Sequence, residues 1–224
     1  QQTIGGGYMV AGSKNASGRS SDFYLIKTNS DGDLEWAKTY GGTEYDNCTS
    51  AQQTYDGGYI MFGESDSYIV NTNLAIKTNS LGDTLWTKVF YRSNGDYGWS
   101  VDQTADSGFI FGGYSNNPGM RDDYWFIRTD ENGDTIWTKT VGYGDDQRGY
   151  CVLQSADGGY VLAGSSAQGG SIGSDFYVVK LNPSVTNIDD NDIMLNSFAL
   201  NQNYPNPFNP STKIRFTIPQ DERR

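Results

Sequence analysis

Asp56-Gly57-Gly58-Tyr59-Ile60-Met61-Phe62-Gly63 returns three times in this chain. Its copies are Gly5-Gly6-Gly7-Tyr8-Met9-Val10-Ala11-Gly12, Asp106-Ser107-Gly108-Phe109-Ile110-Phe111-Gly112-Gly113 and Asp157-Gly158-Gly159-Tyr160-Val161-Leu162-Ala163-Gly164. The glycine before the aromatic falls at 7, 58, 108 and 159, steps of 51, 50 and 51. A fixed period near fifty residues is one supersecondary unit copied along the chain.

Working outward from that segment, A, each unit holds three more short runs between turn signals. Segment B is Phe23-Tyr24-Leu25-Ile26-Lys27 and its copies ending at Lys77, Arg128 and Lys180. Segment C carries Trp36, Trp86 and Trp137, each followed two residues on by Lys38, Lys88 or Lys139. Segment D runs through Ser50-Ala51-Gln52-Gln53, Ser100-Val101-Asp102-Gln103 and Cys151-Val152-Leu153-Gln154. A and B are apolar on consecutive residues, so they need cover on both faces. D is polar and alternating, which reads as a strand near water. A small antiparallel sheet of this kind is a propeller blade. The expected fold is all-β, with four-stranded antiparallel blades A-B-C-D in a partial, open arc of three complete blades and half of a fourth. The glycines of A are expected at the crowded axis, and D at the wet rim. The Trp/Lys face of C is expected to pack between blades, lysine stems over the rings.

Connections sort by length. B-to-C turns (Ser30-Asp31-Gly32-Asp33 and copies) and D-to-A turns are tight and uniform, with glycines suited to positive φ. The A-to-B and C-to-D loops are longer, differ in every unit, and lie together at the other end of the strands.

Composition narrows the function classes. The chain has 224 residues, formal net charge −11 and no histidine. Scattered basic residues on an acidic chain argue against nucleic acid. The absent histidine removes Ser-His-Asp and Cys-His catalysis and every His-containing zinc site. No apolar run is long enough for membrane insertion as a helix. Cys48 and Cys151, two units apart at non-equivalent positions, are expected to stay unpaired. The start at Gln1-Gln2-Thr3 matches the end of a unit, Gln52-Gln53-Thr54, and reads as mid-protein.

The fourth unit stops after B. Asn182-Pro183 breaks the pattern and an acidic stretch with Asp189, Asp190 and Asp192 follows. The expected organisation is repeats over 1–181, with units starting near 4, 55, 105 and 156, a linker over 182–195, and a further module over 196–224. That module opens Asn203-Tyr204-Pro205-Asn206-Pro207-Phe208-Asn209-Pro210-Ser211-Thr212, ahead of the alternating Lys213-Ile214-Arg215-Phe216-Thr217-Ile218. The string resembles the opening of the C-terminal sorting domain of proteins exported by the type IX secretion system. The resemblance implies a truncated β-sandwich segment, partnership with the secretion machinery, and an extracellular or outer-membrane surface location in a bacterium. The fifty-residue units resemble the Asp-Gly-Gly-Tyr propeller-like repeats of large bacterial surface proteins, which implies an architecture and no activity.

Candidate ligand-binding residues lie on the variable loops: Tyr45, Tyr91, Arg92, Tyr97, Tyr143 and Arg148. Tyrosine and arginine favour recognition, and rings stack on sugars. A glycan or protein ligand is expected there, with no catalytic set, metal or cofactor. The alternative is a carbohydrate-active enzyme of the glycoside hydrolase kind using Glu44, Asp96, Asp145 or Asp146, but no pair stands out. Asp130-Glu131-Asn132-Gly133-Asp134 has the flavour of a calcium loop yet lacks the distant Glu, and reads as a hairpin turn. Asp22, Asp123 and Asp175, just before B, are expected to accept loop backbone N–H groups. The resulting expectation is a secreted or surface-displayed binding or structural module that is not an enzyme.

Overall fold

The computed structural model describes residues 1–15, 20–69, 71–92, 95–116, 121–142, 146–167 and 175–183, with the backbone of 199–200 and 216–217. The chain divides into two units, Gln1–Asn187 and Ile188–Arg224. In the second, Ala199–Leu200 pairs antiparallel with Phe216–Thr217. The sorting signature from Asn203 to Pro210 lies outside the described residues.

The first unit is all-β, with no helix among its described residues. Its strands are β1 (Tyr8–Asn15), β2 (Ser21–Thr28), β3 (Leu34–Tyr40), β4 (Asp46–Gln53), β5 (Tyr59–Ser65), β6 (Thr72–Thr78) and β7 (Thr84–Phe90). They continue with β8 (Asp96–Gln103), β9 (Phe109–Asn116), β10 (Asp122–Thr129), β11 (Thr135–Val141), β12 (Gln147–Gln154), β13 (Tyr160–Ser166) and β14 (Asp175–Leu181). They form antiparallel sheets in the orders β1-β2-β3, β4-β5-β6-β7, β8-β9-β10-β11 and β12-β13-β14. None closes on itself among the described residues, so the unit is an open arc of propeller blades.

The blade boundary differs from the sequence expectation. Segment D does not complete its own repeat. It pairs across the tight Asp-Gly turn with A of the next, Gln53 opposite Tyr59 and Gln103 opposite Phe109. A blade is therefore D-A-B-C, with two complete four-stranded blades flanked by two three-stranded ones. Among the described residues the first has only the Gln2–Tyr8 bridge in place of a D strand, and the last has no C strand.

The polarity of D has a different cause from the expected one. The D strands β4, β8 and β12 pack beside one another instead of lining the rim. Their small polar side chains hydrogen-bond the backbone of the next D strand. Ser50 Oγ accepts from Val101 N at 3.3 Å, and Ser100 Oγ accepts from Val152 N at 3.1 Å. Gln52 Oε1 accepts from Gln103 N at 3.0 Å and Asp102 Oδ2 from Gln154 N at 2.9 Å. Ser recurs at 50 and 100, and Gln52 and Asp102 share a position, because each supplies an acceptor to a neighbour's backbone donor.

A bulge in each D strand explains the last glycine of the repeated motif. The register skips Thr49, Trp99 and Tyr150. The bulged backbone brings the Asn47, Tyr97 and Arg148 carbonyls against Gly63, Gly113 and Gly164, where a Cβ would collide with them. These glycines answer a partner strand, not a crowded axis.

The apolar core lies between blades. Met9, Phe23, Leu25, Tyr59, Met61, Leu74 and Ile76 fill the first gap. Ile60, Phe62, Ala75, Phe90, Val101, Phe109, Phe111, Trp125 and Ile127 fill the second. The expected Trp/Lys face is there. Trp36 meets Tyr59 edge-on at 5.6 Å, Trp86 meets Phe109 at 5.8 Å and Trp137 meets Tyr160 at 5.4 Å. Lys38 and Lys88 continue past the rings to Asp83 and Asp134 of the next blade, each at 2.6 Å. Both cysteines are free, and burial pushes the Cys48 thiol up to about 12.

Candidate functional site

The two ends of the blades differ in chemistry. At the tight-turn end each set of bonds recurs in three units. Asn29, Asn79 and Asp130 each accept two backbone N–H groups from the turn that follows, for example from Asp33 at 2.8 Å and Asp134 at 2.8 Å. Asp130 Oδ1 is thus occupied in shaping a hairpin. Asp56, Asp106 and Asp157 accept from the Thr54, Thr104 and Ser155 hydroxyls and from the basic residue ending segment B, Lys77, Arg128 or Lys180. Gly5 replaces the aspartate in the first unit, and Lys27 turns instead to Glu35 at 2.8 Å.

At the loop end the first residue of each D strand anchors the loops. Asp96 Oδ1 accepts from Ser115 Oγ at 2.6 Å and Oδ2 from Arg92 N at 2.6 Å. Asp46 accepts from Ser65 and Ser67 hydroxyls and from Gly42 N at 2.8 Å. Gln147 donates to Ser166 Oγ at 3.2 Å. At the A-to-B junction a backbone N–H then donates to the residue before D: Asp66 N to Tyr45 O, Asn116 N to Gly95 O and Ala167 N to Asp146 O.

Among the described residues the loop-clamping carboxylates are Asp46 and Asp96; most of each loop ahead of Asp22, Asp123 and Asp175 lies outside the described residues. Asp22 Oδ1 is buried without a hydrogen-bond partner beside Gly41. Asp175 is exposed at the start of β14. Burial pushes the Asp123 carboxyl above its usual value, with the Asp122 charge adding to the effect and Arg92 opposing it. The period could have flagged Asp46 and Asp96, because both stand four residues after a loop N–H that needs an acceptor.

On this platform stand the candidate binding residues. Tyr45 and Tyr91 are exposed, at 46% and 48%. Tyr97 stacks on Tyr114 across β8 and β9 at 4.8 Å, and the Arg148 guanidinium lies 5.5 Å from the other ring. Arg148 also donates to Asp122 at 2.6 Å, which ties β12 to the preceding blade and holds the guanidinium more firmly protonated. Arg92 reaches Ser115 Oγ at 3.5 Å. Tyr97, Arg92 and Arg148 thus gather around one blade junction, and Tyr114 and Asp122 join them as residues the sequence reading missed. Tyr45 belongs to the preceding junction, and Tyr143 lies outside the described residues. A cleft of about 340 Å³ beside that preceding junction is lined by Asp22, Tyr40, Gly41 and Tyr68, with Thr39 and Thr87.

Two of the four carboxylates of the enzymatic alternative are engaged. Asp96 is 1% exposed and held as above, and Asp146 Oδ1 accepts from Asp122 N at 3.2 Å. Asp145 lies outside the described residues. Compared with protein-family models and with curated proteins, the chain finds no match.

Proposed function

We propose that this chain is a binding or structural module of a secreted or surface-displayed bacterial protein, with a C-terminal segment that serves type IX export. The observation that carries the binding reading is the contrast between the two blade ends. One end spends its polar groups on recurring turns, whereas the other holds exposed tyrosines on anchored loops and, in the adjoining strands β8, β9 and β12, an arginine–tyrosine stack. Rings and guanidinium groups on a rigid base suit sugars or an acidic peptide strand. Two of the four candidate hydrolase carboxylates, Asp96 and Asp146, accept backbone N–H groups, which favours binding over turnover. The export reading rests on the Asn203–Thr212 string.

Glycan-array binding together with chromogenic glycoside assays tests the first part. Binding without turnover is the expected result, and turnover would establish the hydrolase instead. A reporter joined to the C-terminal segment in a type IX host tests the second part. The segment completed with the rest of a sorting domain should bring the reporter to the surface, and residues 183–224 alone should not, because the short pairing of Ala199–Leu200 with Phe216–Thr217 is too small a sheet to be stable by itself.

A further inference from the structure

β1 is the same strand as β5, β9 and β13 without the same neighbour. Gly12 occupies the position of Gly63, Gly113 and Gly164, yet nothing lies within 4 Å of where its Cβ would be. In the other three units that glycine is demanded by the carbonyl of a bulged D strand. Tyr8 and Val10, 46% and 54% exposed, stand where Tyr59 and Met61 are 1% and 0% exposed. Tyr59 owes its burial to Trp36 of the preceding blade.

The edge is already occupied at one end. Gln1 N donates to Met9 O at 3.0 Å and Met9 N to Gln1 O at 2.8 Å, while Gln2 bridges Tyr8. In β4 the equivalent pairs are Gln52 opposite Ile60 and Gln53 opposite Tyr59. Gln1 Oε1 also accepts from Gln53 N at 3.1 Å, as Gln52 and Asp102 do for the D strands that follow them. Beyond Met9 the edge from Val10 to Lys14 pairs with no strand among the described residues.

We propose that this edge, Val10 to Lys14, seats an inner strand of the D type belonging to an adjoining unit of the same repeat. The occupant is extended, has one bulged residue opposite Gly12, and opens with a carboxylate or amide. Lys14 favours the carboxylate. It stands where Ser65 meets Asp46 and Ser115 meets Asp96, so an ammonium would face the first residue of the incoming strand. Exposed Tyr8 and Val10 specify a whole unit as the source, because a lone strand on the edge would leave that face uncovered.

The test adds six residues with the sequence of Asp96 to Val101 directly before Gln1 of the full chain, so that they run into Gln1 in the β4 register. The expected result is a melting temperature higher by about 3 °C or more and roughly tenfold slower amide exchange at Ala11 and Ser13, whose N–H groups face the open edge as that of Met9 does. Gly12→Ala should abolish both gains in the extended chain while leaving the unextended chain unchanged, because its Cβ meets nothing until the strand arrives. A control extension with proline at alternate positions should give neither gain. Equal gains in the Gly12→Ala extended chain, or no gain with the native-like extension, would overturn the proposal. Concentration-dependent association of the unextended chain that the extension abolishes would seat a second copy there and overturn the committed occupant.

Discussion

Gly63 lies against the backbone carbonyl of Asn47, across the bulge that Thr49 makes in β4, with no room between them for a methyl group. Replacing Gly63 with alanine must move one strand or flatten the bulge. Overpacking against backbone, which cannot rotate aside, sits at the costly end of its range, about 3 kcal/mol or more. The same change at Gly12 should cost under about 1 kcal/mol, and an alanine in a strand could even stabilise it. Urea denaturation of the two variants checks this. Equal losses would mean that the glycines serve a local backbone need and not the partner strand.

The turn aspartates set the acid limit of stability. At Asp56 and Asp106 burial works against ionisation but is outweighed, by Lys77, Thr54 and Gly58 in one case and by Thr104, Arg128 and Gly108 in the other. At Asp157 the bonds from Lys180, Ser155 and Gly159 act almost unopposed. All three carboxyls are held below their ordinary 3.8. A carboxyl with a depressed folded pKa contributes stability that is present above its unfolded value and is lost as pH falls through the folded one. The urea midpoint should therefore hold from neutral pH to about 4 and drop steeply below it. In the triple Asp→Asn variant the midpoint should start lower and decline less, and an unchanged acid limb there would contradict the assignment.

Arg128 is the most buried of the paired cations, its side chain 4% exposed, while Asp106 faces water. Removing one partner of a buried pair costs about 3–5 kcal/mol, and exposed pairs cost far less. Asp106→Asn should fall between, at about 1–2 kcal/mol, because Tyr160 and the Phe109 carbonyl still hold the guanidinium. Arg128→Met, which removes the charge with its partner still solvated, should be tolerated better than Arg128→Ala. Thermal melts of the three variants give the ranking.

Structural and binding residues at the loop end should separate by mutation. Tyr45→Ala and Tyr91→Ala touch exposed rings and should change stability by no more than about 0.5 kcal/mol while weakening any glycan binding. Arg148→Ala strands the buried Asp122 carboxylate, whose side chain is 5% exposed, and should cost about 2 kcal/mol or more. Melting curves run beside glycan-array titrations distinguish the two outcomes.

The repeat made the strands legible but not the sheets. Apolar runs mark A and B, and the Trp-x-Lys pair marks C as an inter-blade face, because burial writes itself into hydrophobicity. Blade boundaries are not encoded that way. Ser50, Gln52, Ser100 and Asp102 alternate with less polar residues just as a half-wet strand would, so polarity could not tell solvent from a neighbouring backbone. Only the cross-blade bonds from Val101 and Gln103 show which it is. The loop platform was hidden for a similar reason. Asp46 and Asp96 look like ordinary acidic loop residues until Ser65 and Ser115 are seen opposite them. The arginine–tyrosine stack depends on Tyr114, which directly follows the repeated motif and which the sequence reading did not single out.

The central claim is that D pairs with A of the following repeat and not with C of its own. Cross-strand nuclear Overhauser effects in the full chain test it directly. Contacts linking Ser50 with Phe62 and Gln53 with Tyr59, repeated between Ser100 and Gly112, are predicted, with no ladder between Leu34–Tyr40 and Asp46–Gln53. A ladder joining those last two segments would restore the within-repeat meander and contradict the account.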